Sequence, residues 1–231
     1  MMSLKTQNNA EPRLVADGRA VADSGLIHRV LEPTPPGPHK TIVMLHGRSG
    51  TEDVMWIFAK TAPPNWLLIA PRGIKTDPAG GYDWRPRGQD EWPTLAQFDE
   101  AVTAVVHFIH ALPSLYNADP EHIYLMGFSQ GAATAYAVAI RHPRIVQGIA
   151  GLVGFIPTAC DESLESSPLI DLPIFMAVGK HDPLIPTERA AGCAQTLYMA
   201  GSQLEYHEYD TGHKLNAAGM LDLQSWWAER P

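Results

Sequence analysis

The sequence predicts an α/β domain with a mainly parallel central sheet and helices on both faces. Short apolar runs without polar alternation recur along the chain, a pattern typical of strands buried on both sides. Stretches with helical spacing separate these runs, which indicates crossover units between parallel strands. Composition is even along the 231 residues, with no repeat and no Ser/Gly linker, so we expect one domain.

The predicted elements follow from these two patterns. Strands are expected at Gly25–Leu31, Thr41–Leu45, Trp66–Ala70, His122–Gly127, Gly148–Val153, Pro173–Val178 and Leu204–Tyr209. Helices are expected at Thr94–Leu112, ending before Pro113, and at Gln130–Arg141, Thr187–Met199 and Leu215–Trp227.

Charge and composition exclude several classes of protein. Seventeen Lys and Arg against 25 Asp and Glu give a net charge of −8, so the basic footprint of a nucleic-acid binder is missing. With 45% apolar and 18% charged residues, the chain has the composition of a globular protein and enough apolar residues for a sizeable core.

We expect neither a secretory signal nor a membrane span. Cys160 and Cys193 are too few for a disulfide scaffold, and the polar start lacks the apolar stretch of a secretory signal. The longest mostly apolar run, residues 145–157, falls short of the ~20 residues of a membrane span. We expect a cytoplasmic protein with a polar extension at residues 1–20 and a domain at 21–231. The extension could be a disordered tail, an edge strand or a cap on the pocket.

A long connection, Pro71–Pro93, is rich in Gly and Pro and carries Tyr82, Trp84 and Trp92. Loops beyond ~12–15 residues in a compact domain are usually functional or disordered. The aromatic side chains favour a substrate-facing loop; the alternative is a surface loop held by its own aromatics.

The strongest motif is Gly-x-Ser-x-Gly at Gly127–Gly131, between a buried strand and an Ala-rich helix. This context is typical of a nucleophile elbow, in which the central serine occupies a strained turn. Ser129 would stand at the N-terminus of the helix, where backbone N–H groups favour developing negative charge. Ser129 is therefore the candidate nucleophile.

A serine hydroxyl needs a general base, which is oriented by an acid. In this architecture the acid and then the histidine follow the serine along the chain. Asp182 follows the strand Pro173–Val178, and His213 follows the strand Leu204–Tyr209. The carboxyl ends of parallel strands meet at one crevice, so these side chains should converge on Ser129. The alternatives are that Asp182 only caps a turn and that Asp210 is the acid.

An oxyanion hole is predicted beside the elbow. It needs one N–H group from the residue after the nucleophile and one from a loop after an early strand. These would be the backbone N–H groups of Gln130 and Arg48, with Gly47 allowing close approach and His46 bracing the loop. The alternative is a Gly-rich turn that leads into a helix at Thr51–Lys60.

The other histidines do not form a metal site. His107 and His110 have helical spacing but no accompanying carboxylate or third ligand. His181, beside the acid, would pack there or line the rim of the site. We predict no metal and no cofactor.

Four segments together, HGRSG, GFSQGAA, GKHDPLIP and GHKL, resemble the phospholipase/carboxylesterase branch of the α/β-hydrolase superfamily. This branch includes acyl-protein thioesterases and small bacterial carboxylesterases, and the likeness covers roughly residues 41–227. The resemblance implies an α/β-hydrolase fold, and we expect no large cap insertion.

The resemblance also implies roles for individual residues. The triad would be Ser129, Asp182 and His213, with Arg48 and Gln130 as oxyanion donors. Family members usually carry a small or apolar residue, often followed by Gly, where this chain has Arg48 and Ser49. The Arg48 side chain could turn outward, or it could attract a carboxylate near the site. The pocket would be lined by Tyr82, Trp84, Phe155 and Leu184.

The sequence therefore favours a serine hydrolase that cleaves carboxylic esters of short to medium acyl chain. No insertion between strands is large enough for a deep covered tunnel. The alternatives are a thioesterase or lysophospholipase of the same family, a peptidase or dienelactone-type hydrolase, and a hydrolase fold that only binds. Partners would be a small-molecule ester and, at most, a second copy of the chain, since we expect a monomer or homodimer.

Overall fold

The computed structural model describes residues 11–88, 92–166 and 168–230, and its centre is an eight-stranded sheet. The described strands are β1 (Arg13–Val15), β2 (His28–Leu31), β3 (His39–Leu45), β4 (Leu67–Pro71), β5 (Lys75–Thr76), β6 (Tyr82–Asp83), β7 (Ala118–Phe128), β8 (Ile149–Leu152), β9 (Pro173–Gly179) and β10 (Gln203–Tyr209). The order in the sheet is β1-β2-β4-β3-β7-β8-β9-β10; β2 is antiparallel to both of its neighbours, β1 and β4, and the pairs from β4 to β10 are parallel.

Helices cover both faces of the sheet, as predicted. The α-helices are α1 (Gly18–Ser24), α2 (Asp99–Tyr116), α3 (Gln130–Arg141), α4 (Asp161–Leu164), α5 (Thr187–Met199) and α6 (Ala217–Ala228), and 3₁₀ helices span Val54–Thr61 and Leu95–Phe98. One core layer packs α1, α2, α3 and α5 against the sheet, and the other packs the 3₁₀ helix Val54–Thr61 and α6.

Strand β3 shows why the apolar runs have no alternation. Val43 and Leu45 belong to the core layer under α2 and α3, whereas Ile42 and Met44 belong to the layer under α6. Successive side chains point to opposite faces of a strand, so a strand buried on both faces must be apolar throughout.

The sheet includes residues that were predicted to belong to the N-terminal extension. Strand β1 pairs with β2, and Val15 is buried in the core, so the domain begins before residue 21. Helix α1 then ends at Gly25, whose φ of 77° is left-handed, so β2 starts at His28 and not at Gly25. Of the possible roles for the extension, the edge strand applies to residues 13–15; residues 1–10 lie outside the described residues.

Pro113 does not end α2, contrary to prediction. The helix continues for one more turn and is capped by Asn117. The backbone of Asn117 is left-handed, and its N–H donates a hydrogen bond to Pro113 O at 3.1 Å. Proline removes only one helical hydrogen bond. The extra turn buries Tyr116, whose hydroxyl lies 2.5 Å from His28 Nε2, and this contact favours the longer helix.

Other elements match the prediction closely. Helices α3 and α5 have the predicted bounds, and α6 begins after Asn216, whose side chain accepts a hydrogen bond from Gly219 N. The long connection contains the hairpin β5–β6, which no pattern had indicated; its residues 89–91 lie outside the described part. No described helix combines the length and apolar character needed to cross a membrane.

Gly151 of β8 tests how closely α3 packs on the sheet. A Cβ at this position would lie 1.9 Å from the hydroxyl oxygen of Tyr136, which is fully buried on α3. We expect Gly151→Ala to lower the free energy of unfolding by about 1–3 kcal/mol, because overpacking forces the helix or the ring to move. Urea denaturation measures this change.

Gly192 provides the matched control for this prediction. It is exposed on α5, and a Cβ there would meet no atom within 4 Å. Gly192→Ala should raise the free energy of unfolding by up to about 1 kcal/mol, because alanine favours a helix over glycine. Equal effects of the two substitutions would contradict the packing described for Tyr136.

Candidate active site

The loops after β3, β7, β9 and β10 meet at the carboxyl edge of the parallel strands. They carry, in turn, Arg48, Ser129, Asp182 and His213. Ligands bind at this edge in open parallel sheets. The three predicted triad residues are therefore on loops at the same edge.

The turn at Ser129 has the geometry of a nucleophile elbow. Ser129 has φ 53° and ψ −115°, and its N–H donates to Leu152 O at 2.9 Å. A Cβ at Gly127 would lie 2.3 Å from Gly131 O, and one at Gly131 would lie 2.0 Å from Leu45 O. Only glycine fits at these two positions, and the close packing sets the N-terminus of α3 against the end of β3.

Asp182 is hydrogen-bonded to His213. Its Oδ2 accepts a hydrogen bond from His213 Nδ1 at 2.7 Å, and its Oδ1 accepts from the N–H groups of Leu184 at 2.8 Å and Ile185 at 3.0 Å. The Asp182 side chain is 1% exposed and that of His213 is 17% exposed. Both carboxylate oxygens are thus engaged, and the proton of the neutral imidazole is held on Nδ1.

The competing acid, Asp210, has a different partner. Its carboxylate lies 2.7 Å from His181 Nε2, and both of these side chains are mostly exposed. The structure therefore brings Asp182, and not Asp210, to His213. His181 lies at the rim, and its backbone N–H donates to Thr211 O.

His213 also packs against the elbow. Its ring meets the ring of Phe128, the residue before Ser129, edge to face with centroids 5.3 Å apart. Ser129 itself is only partly buried. Within the described residues the Ser129 hydroxyl makes no hydrogen bond to His213, and the contact with Phe128 places the imidazole next to the residue that precedes the serine.

The loop after β3 lies directly over the elbow. A Cβ on Gly47 would lie 3.3 Å from Ser129 Cβ and 3.1 Å from Phe128 Cδ1, so the Gly47 backbone approaches the serine closely. Arg48 follows Gly47, and Gln130 follows Ser129 at the start of α3. The first N–H groups of a helix have no partner within it, so the Gln130 N–H can serve an external acceptor.

His46 holds this loop in place. The Gly73 N–H donates to Nε2 at 2.8 Å, and Nδ1 donates to Gly47 O at 2.7 Å, so the imidazole is neutral with its proton on Nδ1. His46 is fully buried, and burial lowers its pKa from the ordinary value of 6.5. This position agrees with the bracing role predicted for His46.

The long connection supplies a second set of braces. The Ser49 N–H donates to Asp83 Oδ1 at 2.8 Å, and the Ser49 hydroxyl donates to Asp77. The Tyr82 N–H donates to Gly50 O at 2.8 Å. Sequence analysis missed Asp77 and Asp83, because their contacts with Ser49 join residues about 30 positions apart in the chain.

Trp84 has a different place from the one predicted. Its ring has no exposed surface, its Nε1 donates to His46 O at 2.9 Å, and its backbone N–H donates to Gln130 Oε1 at 2.7 Å. Trp84 thus ties the loop after β3 to the start of α3 and presents no surface to a substrate.

The other predicted pocket residues are spread around the site. Tyr82 lies under the Arg72 guanidinium, Phe155 is buried against Trp92, and Leu184 is 54% exposed. Arg72 is itself held by Glu52 through two hydrogen bonds of 2.8 and 2.6 Å, which lower the pKa of that carboxyl. A cavity of about 180 Å³ beside Gln130 is lined by none of the three.

His46 gives a prediction for the pH dependence of stability. Since its pKa is lowered in the folded protein, the unfolded chain takes up a proton first as the pH falls below about 6.5. Stability that is present above this pH is therefore lost as the pH falls. We expect the free energy of unfolding to fall less steeply in His46→Asn than in the wild type between about pH 7.5 and about pH 5.5, by at most about 1.4 kcal/mol per pH unit.

The control for this prediction is His142→Asn at an exposed position. It should retain the wild-type slope in urea denaturation at each pH. A His46→Asn slope that equals the wild-type slope would show that the buried imidazole takes up a proton as easily as the unfolded one.

The sequence of this chain is similar to those of known esterases. A "Probable carboxylesterase" of Oryza sativa subsp. japonica is 30% identical over 135 residues, which is 56% of this chain and 51% of that protein. The chain spans about half the length of the first curated relatives it matches.

Solved structures show the same fold. A carboxylesterase from Mesorhizobium loti superposes with a TM-score of 0.78 at 18% identity, covering 95% of this chain and 99% of that one. The Bacillus cereus carboxylesterase gives a TM-score of 0.76 at 18% identity, covering 90% and 96%. The fold is therefore the α/β-hydrolase fold that the resemblance implied.

The family model described as Phospholipase/Carboxylesterase matches residues 27–228, which include all four loops of the site. The chain belongs to the phospholipase/carboxylesterase family.

Proposed function

We propose that the protein is a serine carboxylesterase that cleaves esters of short to medium acyl chain through an acyl-enzyme on Ser129. The observation that carries the proposal is the buried hydrogen bond between Asp182 and His213 beside the strained turn at Ser129. A carboxylate that holds an imidazole near a partly buried serine at the start of a helix is the arrangement that makes a hydroxyl nucleophilic.

The first half of the reaction forms the acyl-enzyme. Ser129 Oγ attacks the ester carbonyl while His213 Nε2 takes the hydroxyl proton, and Asp182 stabilises the resulting imidazolium. The carbonyl oxygen becomes an oxyanion, which the backbone N–H groups of Arg48 and Gln130 would bind. The C–O bond to the alcohol then breaks, and His213 returns the proton to the leaving alcohol.

The second half releases the acid. Water gives a proton to His213 and attacks the acyl carbon, the oxyanion hole binds the second tetrahedral intermediate, and Ser129 leaves with the proton from His213. Ser129 and His213 are not hydrogen-bonded to each other in the structure, and in this mechanism their hydrogen bond forms when the substrate binds. Catalytic hydrogen bonds often tighten only when substrate binds.

The space at the site supports the proposed range of substrates. The described cavity of about 180 Å³ beside the elbow is smaller than the ~300–1,000 Å³ of pockets for drug-sized ligands, which favours small acyl groups. Thioesters and lysophospholipids, the alternatives predicted from the sequence, would pass through the same acyl-enzyme. A cytoplasmic location and a monomeric or dimeric state stay predictions of the sequence.

Replacing the nucleophile tests the proposal. We expect Ser129→Ala to lower kcat for 4-nitrophenyl acetate by roughly 10⁴–10⁶-fold, because the covalent route is lost while the oxyanion hole remains. The matched control is Ser114→Ala on the exposed surface of α2, where the hydroxyl donates to Ala111 O and, among the described residues, makes no other hydrogen bond. Circular dichroism checks that both variants are folded. A folded Ser129→Ala that hydrolyses the ester like Ser114→Ala would refute the proposal.

A further inference from the structure

A small cavity next to the nucleophile elbow is rich in arginine. Its volume of about 180 Å³ suits one end of a substrate and not a whole drug-sized ligand. The cavity is lined by Arg48, Asp83, Arg85, Pro86, Arg87, Gly88 and Gln130.

Two of the lining residues place the cavity beside the reacting ester. Gln130 directly follows Ser129, and Arg48 follows Gly47, which lies against Ser129. The backbone N–H groups of both residues are the proposed oxyanion donors. A group that occupies the cavity would therefore belong to the same small molecule as the scissile carbonyl.

Charged side chains of both signs line the cavity. Arg87 lies 2.7 Å from the buried carboxylate of Asp77, which also accepts hydrogen bonds from Ser49 and from Ala79 N. Asp83 forms part of the wall and accepts a hydrogen bond from the Ser49 N–H. Arg87 and Asp83 are therefore each engaged by other residues of the protein.

Arg48 is the arginine with the freedom to bind a ligand. Its side chain is exposed, and within the described part of the chain its guanidinium has no hydrogen bond and no salt bridge, while the charge of Arg48 acts on the Asp83 carboxylate. Arg72, in contrast, is held by Glu52. A guanidinium offers a planar pair of donors that matches a carboxylate.

We infer that Arg48 selects esters that carry a carboxylate close to the scissile bond, such as the half-esters of short dicarboxylic acids, and binds that carboxylate in this cavity. The inference rests on the proposed esterase function and specifies its substrate class. It assigns the Arg48 side chain a role in specificity, separate from the proposed role of its backbone N–H.

A pair of substrates with the same shape tests this inference. Monoethyl succinate carries a carboxylate where ethyl 4-methylpentanoate carries an isopropyl group. Hydrolysis of both esters is measured by the release of ethanol. The ratio of the two kcat/KM values reports how much the negative charge of the substrate contributes to specificity. We expect the wild type to prefer monoethyl succinate and Arg48→Gln to lower the ratio about tenfold. A tenfold change corresponds to the free energy that one hydrogen bond to a charged group typically contributes.

Three further measurements separate this role from a structural one. Arg48→Lys, which retains the charge, should recover much of the ratio, and raising the salt concentration should lower the wild-type ratio. Arg19→Gln on α1, where Arg19 is 88% exposed and pairs with Asp23, removes the same charge far from the site and should leave the ratio unchanged.

The outcomes also distinguish the inference from the proposed function. A wild type that hydrolyses 4-nitrophenyl acetate but shows no preference for monoethyl succinate, or shows the same ratio in Arg48→Gln, overturns the inference alone. A wild type that hydrolyses neither the acetate nor the ethyl esters overturns the esterase proposal as well.

Discussion

The site depends on one buried hydrogen bond, between the Asp182 carboxylate and His213 Nδ1. It joins two loops that are already connected by backbone bonds from Lys180 N to Tyr209 O and from His181 N to Thr211 O. Gly179 packs closely on Gly212: a Cβ added at Gly179 would lie 2.2 Å from the carbonyl oxygen of Gly212. The parallel pairing of β9 and β10 therefore sets the distance between acid and imidazole, and the hydrogen bond sets the direction of the ring.

The other half of the site depends on close backbone packing. Gly131 lets α3 approach the end of β3, and Gly47 lets the loop after β3 lie on Ser129. The loop is then held from both sides, by His46 against Gly73 and by Ser49 against Asp77 and Asp83. These braces hold the proposed oxyanion donors in place before substrate arrives, which is the condition for electrostatic stabilisation of a transition state.

Sequence reasoning predicted those parts of the molecule that local patterns determine. The runs of buried strands, the bounds of α3 and the Gly-x-Ser-x-Gly turn depend on neighbouring residues and could be predicted. The choice of Asp182 over Asp210 could be argued only from chain order, and the structure shows the pairing itself. The continuation of α2 past Pro113 depends on a contact between Tyr116 and His28, which are 88 residues apart.

The same distinction explains the errors at the site. An aromatic side chain in a long loop has the same local pattern whether it lines a pocket or braces a neighbouring loop. Trp84 braces, because its indole N–H reaches the carbonyl of His46, 38 positions away. The Asp77 and Asp83 contacts are equally distant in sequence. The position of Arg48 beside a cavity rich in arginine likewise follows only from the fold.

A comparison of Asp182→Asn with Asp210→Asn tests whether Asp182 orients His213 so that it activates Ser129. The asparagine at 182 can still accept from Leu184 and Ile185, so the turn survives, but its amide cannot accept the proton on Nδ1. We expect kcat for 4-nitrophenyl acetate to fall by about 10³–10⁴-fold in Asp182→Asn and to stay near the wild-type value in Asp210→Asn. A folded Asp182→Asn with wild-type activity, or a large loss confined to Asp210→Asn, would show that Asp182 does not orient the imidazole.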